Sequence, residues 1–288
     1  MSVAHAVNKE ADALLDKKFK VLDHGFVRLV DYMGSDEAIV QAARVSYGKG
    51  TKKVSEDRGL IRYLMRHKHT TPFEMVEFKF HVKLPIFVAR QWIRHRSANV
   101  NEYSGRYSVM KEEFYLPEPQ DIRYQSQVNK QGRSDEEVPD ELKHQLLDYL
   151  KSSQTEAFEN YMEFVDKGLA RELARINLPL SLYTEWYWKI DLHNLFHFLR
   201  LRMDPHAQYE FQQYAKVMAK IVRTVCPMAF EAFMDYSVNA LYFSGTELKI
   251  LKKTLLAGDF DLETLIKQGL SKREATEFLE KLGKIREI

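Results

Sequence analysis

The chain has 288 residues, 45% of them hydrophobic, so it is long and apolar enough for a globular protein with a sizeable core. Its 43 Lys and Arg residues nearly balance 41 Asp and Glu residues. The net charge of +2 argues against a protein that binds polyanions over its whole surface. A single cysteine, Cys226, excludes an internal disulfide. Residues 1–20 lack the apolar segment of a secretory signal, and no run has the length of a membrane span. We therefore expect a cytoplasmic protein.

The N-terminal third predicts two strands and two helices behind a short arm, residues 1–19. Residues 26–30 alternate apolar and charged positions, which predicts a strand. Ser35 is placed to cap a helix, and a second helix is expected from Ser55 to a Thr-Thr-Pro sequence. Residues 76–84 alternate most strictly and predict a strand with one buried and one solvated face.

A helix beginning at Pro85 leads into the most basic part of the chain. Its predicted buried stripe consists of Ile86, Ala89 and Ile93. The helix therefore delivers residues 94–96 at its end, and a polar loop follows. Residues 107–116 predict another strand, closed by two prolines.

The second half of the chain predicts mainly helices. Residues 120–140 are polar with few apolar anchors, so we expect a mobile surface insertion. Helices are expected over residues 141–166 and 168–177, and the aromatic residues 180–190 suit a strand or an interface. Asp191 is placed to cap the following helix.

Arg202 lies at the edge of the apolar stripe of that helix. Because arginine stays charged and unpaired burial is costly, Arg202 must find acceptors. Two more helices are expected over residues 205–226 and 227–239. Residues 240–288 predict a C-terminal helical hairpin rich in lysine and glutamate.

Residues 90–107 contain four arginines and a histidine against one acid, Glu102. Arginine presents a planar fork of donors that matches phosphate oxygens, so such a cluster indicates a site for a phosphorylated ligand. Gly105 would let the backbone approach that ligand closely. Charge alone favours a solvated basic surface over a ligand site.

The spacing of these residues is more specific than their charge. Residues 94–96 read Arg-His-Arg, and seven residues separate them from Ser104, which begins a Ser-Gly-Arg-Tyr sequence. This pattern resembles the signature of the flavin-dependent thymidylate synthases. Residues 67–74, 85–92 and 199–208 resemble the same family.

The likeness covers about residues 20–236. It implies an α+β fold, an antiparallel sheet flanked by helices, in a domain over residues 20–239. The insertion at 120–140 and the extension 240–288 have no clear match in shorter members. The resemblance also implies a homotetramer whose active sites are shared between subunits.

The resemblance implies reductive methylation of dUMP to dTMP. The carbon would come from 5,10-methylenetetrahydrofolate, FADH2 would deliver hydride from N5, and NADPH would recharge the flavin. It implies no nucleic-acid, membrane or metal partner. Cys226 lies in an apolar sequence and is interpreted as a buried hydrophobe, so the chain lacks an activated thiolate for nucleophilic attack on the pyrimidine.

The resemblance assigns roles to individual residues. Arg202 would ionise N3 of the pyrimidine, and a fixed cation beside the ring stabilises the negative charge of the step. The residues implied at the flavin are Thr71, Arg94, His95, Arg96, Glu102, Asp191, His193 and His197, with His69 near the flavin ring. Those implied at dUMP are Gln91, Trp92, Ile93, Arg94, Glu102, Tyr103, Ser104, Gly105, Arg106, Arg175 and Arg202.

Three of these features also have other interpretations. His193 and His197 are spaced for a metal, but the glutamate that follows the first histidine in zinc hydrolases is absent, so a polar helix face is favoured. Ser104 lacks the sequence context of a serine nucleophile, so a hydrogen bond to phosphate is the simpler role. His69 and Thr71 also suit an ordinary helix terminus.

Two other functions stay open. One is an RNA- or nucleotide-binding protein, with phosphate contacts and stacking by Arg94, Arg96, Arg106, Tyr103, Tyr107 and Trp92. The other is a flavoprotein that acts on a different pyrimidine. Bound flavin would distinguish the enzyme from the RNA-binding protein, and flavin oxidation that depends on dUMP would distinguish the two enzymes.

Overall fold

The computed structural model describes residues 8–45, 54–127, 130–246, 248 and 261–287. They form two compact units, Met1–Val238 and Asn239–Ile288. The strands of the first unit are β1 (Lys18–Val21), β2 (Gly25–Met33), β3 (Glu77–Pro85), β4 (Asn99–Glu102), β5 (Arg123–Gln125), β6 (Arg133–Glu137) and β7 (Tyr183–Asp191). Its α-helices are α1 (Lys9–Asp12), α2 (Asp36–Val45), α3 (Val54–Arg66), α4 (Thr71–Glu74), α5 (Ile86–Trp92), α6 (Asp140–Asp166), α7 (Arg171–Ala174), α8 (Leu192–Arg202), α9 (Tyr209–Val225) and α10 (Pro227–Phe233).

The first unit is built on a five-stranded antiparallel sheet in the order β1-β2-β3-β7-β4. Its central strand, β3, has the predicted alternation: Phe78, Phe80 and Val82 are fully buried, whereas His81 on the other face is only partly buried. Helices pack on the buried face. The expected α+β fold with an antiparallel sheet flanked by helices is confirmed.

Aromatic side chains fill the core where α5, α8 and α9 meet the sheet. The Trp92 ring is fully buried, and its centroid lies 5.2 Å from that of Trp188, 4.8 Å from Phe198 and 5.1 Å from Phe211. Removing one such ring costs about 3–5 kcal/mol, because the surrounding side chains only partly close the cavity. This packing fixes the ends of the helices that carry the candidate site.

Several sequence predictions of elements are confirmed. The strand predicted over residues 26–30 is part of β2, the helices expected near Ser35 and Ser55 are α2 and α3, and residues 180–190 contribute to β7. Asp191 caps α8, because its Oδ1 accepts a hydrogen bond of 2.9 Å from the Asn194 backbone N–H. Residues 46–53, between α2 and α3, lie outside the described residues.

The strand predicted over residues 107–116 is wrong. This segment is irregular, with a single bridge between Phe114 and Leu182. Its buried side chains, Met110, Phe114 and Tyr115, do not alternate, and Phe114 and Met110 pack in a small core with Tyr161. These apolar side chains are therefore buried without a continuous strand.

Three helices differ in extent from the predictions. In place of one helix over residues 168–177 there is a turn of α-helix, α7, followed by a 3-10 turn, Arg175–Asn177. The helix predicted from residue 205 begins at Tyr209, after a turn. The helix predicted over residues 227–239 changes from α10 to a π-helix at Met234–Val238.

The polar residues 120–140 contain regular structure. A 3-10 turn, Pro119–Asp121, precedes the antiparallel hairpin of β5 and β6. Most of the described side chains in β5 and β6 are exposed, as the polar composition predicts.

The second unit contains the helices α11 (Leu262–Lys267) and α12 (Lys272–Glu287). Asp261 caps α11 by accepting the Thr264 backbone N–H at 2.9 Å, and Leu265 and Ala275 are buried. Residues 249–260, which belong to the predicted hairpin, lie outside the described residues. None of the described helices combines the length and the hydropathy needed to cross a bilayer.

Candidate active site

Arg202, the last residue of α8, contacts His95, which lies just beyond α5. Arg202 Nε donates a hydrogen bond of 3.0 Å to His95 Nε2, and the guanidinium lies over the Phe211 ring at 4.6 Å from its centroid. An arginine N–H can only donate, so His95 accepts through Nε2 and carries its proton on Nδ1. The contact therefore joins a neutral imidazole to a permanent cation.

The surroundings keep His95 neutral. Burial, the Arg202 charge and the neighbouring His197 together lower the pKa of His95 to about 4. The ring centroids of His95 and His197 are 6.2 Å apart. At neutral pH the positive charge of this cluster therefore comes from Arg202.

Arg202 is partly buried and, within the described part of the chain, pairs with no carboxylate. Burial lowers the pKa of Arg202 from its usual value, but a guanidinium stays protonated in proteins. A desolvated cation whose neighbour is a neutral imidazole attracts an anion, or negative charge that develops during a reaction.

Three more arginines of the predicted site, Arg94, Arg96 and Arg175, make no ion pair with any described acid, whereas Arg44 pairs with Asp57 at 2.6 Å. Arg94 and Arg96 are exposed. These cations are available to an anionic ligand.

Gly105 and Arg175, both predicted at the nucleotide, lie side by side. A Cβ atom built on Gly105 would come within 2.7 Å of Met110 Sδ and 3.1 Å of Arg175 Nη1. A larger residue would therefore press on the Met110 and Arg175 side chains, and glycine allows Arg175 to approach closely.

The loop around Gly105 is held by hydrogen bonds at both ends. Glu102 Oε1 accepts from the Thr184 hydroxyl at 2.8 Å, which attaches the end of β4 to β7. Ser104 Oγ accepts from the Arg106 backbone N–H at 3.3 Å, and Arg106 Nε donates to Glu172 Oε2 at 2.9 Å. This loop and the start of α7 therefore face each other.

The predicted residues line two clefts. One, of about 400 Å³, has Arg106, Tyr107, Arg171 and Glu172 in its wall. The other, of about 200 Å³, has His95, Arg96, Ala98 and Val100 among its lining residues. Arg106 and Arg96 thus belong to different clefts of a single chain.

The three predicted nucleotide residues at the end of α5 have different environments. Gln91 Nε2 donates a hydrogen bond to Gln208 Oε1. Ile93 is 47% exposed, so its assignment to the buried stripe is wrong. Trp92 is fully buried in the core, so the stacking role that the RNA-binding hypothesis gives it is wrong.

The residues predicted at the flavin are spread over α4, α5 and α8. Thr71 is exposed at the start of α4, which packs on α8 through Phe73 and Phe196, with ring centroids 6.4 Å apart. Asp191 uses both carboxylate oxygens on Asn194, at 2.9 and 2.7 Å, and therefore acts as a cap. His193 is partly buried and His197 is exposed.

Sequence reasoning missed three residues that support this site. Phe211 lies under Arg202, Gln208 holds Gln91, and the buried Glu210 accepts a hydrogen bond of 2.9 Å from Gln208 Nε2. An acid directly after the start of a helix usually indicates only a favourable helix dipole. In the sequence, the available signal for these supporting residues is the spacing of Gln208 and Glu210, and this spacing does not by itself indicate a functional site.

Comparison with known proteins identifies the family. Residues 28–228 match the family model described as thymidylate synthase complementing protein. The flavin-dependent thymidylate synthase of Treponema denticola is 57% identical over 274 residues, which cover 95% of this chain and 100% of that protein. The enzyme of the same name from Wolbachia pipientis is 55% identical over 96% of both chains.

The chain belongs to the flavin-dependent thymidylate synthase family. A solved structure, the UMP/dUMP methylase PolB from Streptomyces cacaoi bound with 5-Br dUMP, is similar to it with a TM-score of 0.68. That protein is 33% identical, and the alignment covers 76% of this chain and 99% of PolB. The sequence predictions of family, fold and enzyme class are confirmed, and the roles of individual residues stay predictions.

Proposed function

We propose that this member of the flavin-dependent thymidylate synthase family converts dUMP to dTMP. In this proposal 5,10-methylenetetrahydrofolate supplies the carbon, FAD is the bound cofactor, and NADPH regenerates its reduced form. PolB, the solved relative, is described as a UMP/dUMP methylase, which supports a uridine nucleotide as the substrate.

The observation that carries the proposal is the environment of Arg202. Its guanidinium is partly buried, lies over Phe211 and donates to the neutral His95, with no described acid to pair with it. Such a cation stabilises negative charge on a pyrimidine ring more strongly than a solvated one, because less water screens it. The completely buried Cys226, whose pKa is raised well above its usual range by burial, is unsuited to nucleophilic attack.

The residues near Arg202 fit a flavin dinucleotide. FAD carries a diphosphate, and Arg94 and Arg96 are exposed guanidiniums without a described acidic partner. We assign them, with His95, Thr71 and His197, to binding this cofactor. The bound flavin supplies the reducing equivalent, and the residues of the chain bind it and exclude water around it.

The loop around Gly105 fits the nucleotide. Arg175 approaches the backbone of Gly105, and Arg106 and Ser104 lie within the same turn. Guanidiniums and a hydroxyl are donors that suit a phosphate monoester. We assign this loop to the phosphate of dUMP.

The proposed assembly is a homotetramer with shared sites. Large apolar side chains around the loop are exposed: Tyr107 by 78%, Ile176 by 73%, Leu180 by 59% and Leu173 by 53%. Exposed large apolar side chains in neighbouring segments favour contact with another subunit. Because Arg106 and Arg96 face different clefts of one chain, a neighbouring subunit could join the two halves of the site.

Purified protein tests this proposal directly. It should be yellow with bound FAD, and it should form dTMP from dUMP only when folate, NADPH and flavin are all present. UMP should be assayed in parallel, because PolB is described as acting on both nucleotides. Colourless protein that takes up no flavin and binds RNA with steep salt dependence would overturn the proposal.

Replacing Arg202 tests its role. Arg202→Ala should retain FAD and lose dTMP formation by at least about a hundredfold in kcat, the usual cost of removing a group that stabilises transition-state charge. The matched control is Arg223→Ala, an exposed arginine in the last turn of α9, which should leave kcat unchanged. Turnover near the wild-type rate in Arg202→Ala would contradict the role.

A further inference from the structure

Glu210 is an acid buried at the start of α9, only 1% exposed. Its Oε1 accepts a hydrogen bond of 3.0 Å from the Tyr115 hydroxyl and forms an ion pair with Arg133. The charge is therefore compensated by donors from two other segments of the chain. Leaving such an acid buried without them would cost several kcal/mol.

This carboxylate sets the orientation of two side-chain amides. Glu210 Oε2 accepts from Gln208 Nε2 at 2.9 Å. A carboxylate paired with arginine can only accept, so Gln208 must turn its NH2 group towards Glu210 and its carbonyl oxygen away. That oxygen then accepts from Gln91 Nε2. One N–H of Gln91 is thereby used, and its carbonyl oxygen and second N–H are left for a ligand.

We propose that Glu210, Arg133 and Gln208 position the Gln91 amide for the nucleotide. The inference rests on the proposed function, in which Gln91 contacts dUMP. None of the three needs to touch the substrate. They hold one rotamer of Gln91, so that binding does not have to order it.

The proposal gives a role to the hairpin of β5 and β6, which the sequence predicts as a surface insertion. Arg133 is the first residue of β6, and its guanidinium also lies over the Tyr209 ring at 5.2 Å from the centroid. The hairpin therefore contacts the start of α9 through Arg133. A change at this surface position is expected to reach the nucleotide through Glu210, Gln208 and Gln91.

The test compares two arginines of this hairpin. Arg133→Met removes the partner of Glu210, whereas Arg123→Met removes the pairing of Arg123 with Glu137, at 3.2 Å, without involving Glu210. We expect Arg133→Met to raise KM for dUMP about five- to tenfold, the effect of one misplaced hydrogen bond, with kcat within about twofold of the wild type. Arg123→Met should leave both constants unchanged.

Combining each change with Gln91→Met distinguishes positioning from general damage. If Arg133 acts through Gln91, then Arg133→Met should raise KM no further in the Gln91→Met background. Gln208→Met, which leaves the Arg133 and Glu210 pair intact, should behave in the same way and provides a second variant if Arg133→Met unfolds. Thermal melting should accompany every variant.

Three results would overturn the inference. KM could be unchanged in both Arg133→Met and Gln208→Met, or it could rise equally with and without Gln91→Met. Alternatively, Gln91→Met could leave KM unchanged while the wild type makes dTMP, which rejects the positioning role and leaves the proposed function intact. Failure of the proposed function has a different signature, the absence of dTMP formation by the wild-type enzyme.

Discussion

The hydrogen bond between Arg202 and His95 determines the protonation of His95. Arg202 can only donate, so His95 must be neutral, and burial beside a cation lowers the pKa of His95 to about 4. The sequence places both residues in the site but does not predict that they touch. Their separation of more than a hundred residues in the chain leaves no local pattern to indicate it.

The pKa of His95 predicts how stability depends on pH. An unfolded histidine titrates near 6.5, whereas folded His95 titrates at about 4. Between these values the unfolded chain binds a proton that the folded chain does not, so the free energy of unfolding falls as the pH decreases through this range. Above about pH 6.5 this contribution to stability is complete.

Urea unfolding at about pH 7 and about pH 5 measures this effect. His95→Gln keeps an acceptor for Arg202 but cannot titrate, so it should lose less stability than the wild type between the two pH values. His206→Gln, in an exposed turn, is the control and should follow the wild type. Equal losses in His95→Gln and the wild type would reject the assignment.

Gly105→Ala tests the close approach of Arg175. The added Cβ would lie 2.7 Å from Met110 Sδ, which has to shift, and 3.1 Å from Arg175 Nη1, which is pushed by a few tenths of an ångström. We expect KM for dUMP to rise by about tenfold or more, because a hydrogen bond to a charged group contributes about 1.5–3 kcal/mol. Gly59→Ala, with nothing within 4 Å, is the control and should keep the wild-type KM.

At the scale of elements, a buried acid joins α2 to the start of α10. The Asp36 carboxylate accepts the backbone N–H groups of Met228 and Ala229, at 2.8 and 2.9 Å. These N–H groups belong to the first turn of α10, which has no partner for them within the helix. Burial raises the pKa of Asp36, partly offset by these two hydrogen bonds.

Asp36→Ala should therefore destabilise the first unit by about 1–3 kcal/mol, because two buried N–H groups lose their acceptor. The neighbouring Glu37→Ala, at an exposed position, should change stability by less than about 0.5 kcal/mol. The midpoint of urea unfolding gives both values. Equal effects of the two changes would show that Asp36 does not stabilise α10.

Elements with a clear period were predictable from the sequence, and elements held by long-range contacts were not. β3 alternates over its whole length, and one face of it is buried as expected. Residues 107–116 are equally rich in apolar side chains, yet they form no strand, because Phe114 packs on α6 and Tyr115 packs on Phe87 of α5 from an irregular backbone. Local strand propensity does not predict packing contacts of this kind between distant segments.

The candidate site shows the same division. The resemblance supplied the residues that would touch ligands, such as Arg202 and Arg175. It did not supply the side chains that hold them, such as Gln208, because these contacts depend on how α9 packs against α5. The separate environment of Trp92, adjacent to Gln91 but buried, also follows from packing alone.

At the scale of the whole molecule, α6 leaves several large apolar side chains exposed. It has 27 residues, and Gln154 and Tyr161 are its buried residues. One side of α6 packs Phe158, Tyr161 and Val165 against its own fold, as a long amphipathic helix usually does. Leu146, Tyr149 and Phe164, by contrast, are exposed. This surface, like the exposed Ile176 and Leu180, is consistent with a partner subunit.

If active sites form between subunits, two inactive variants should complement each other. Arg106→Ala damages the cleft of about 400 Å³, and Arg202→Ala damages the cluster around His95. In a mixed assembly, an intact Arg106 from one chain can meet an intact Arg202 from another. Random mixing of equal amounts should restore roughly a quarter of the sites, since each half must come from the appropriate chain.

Co-expression of the two variants with different affinity tags, followed by tandem purification, gives the mixed assembly, and dTMP formation per flavin measures the recovery. Each variant alone is the control and should be inactive. Arg202→Ala mixed with itself, in two differently tagged copies, controls for effects of the tags. Mixed assemblies that remain as inactive as the single variants would place Arg106 and Arg202 in the same subunit's site, and the exposed surface of α6 would then need another explanation.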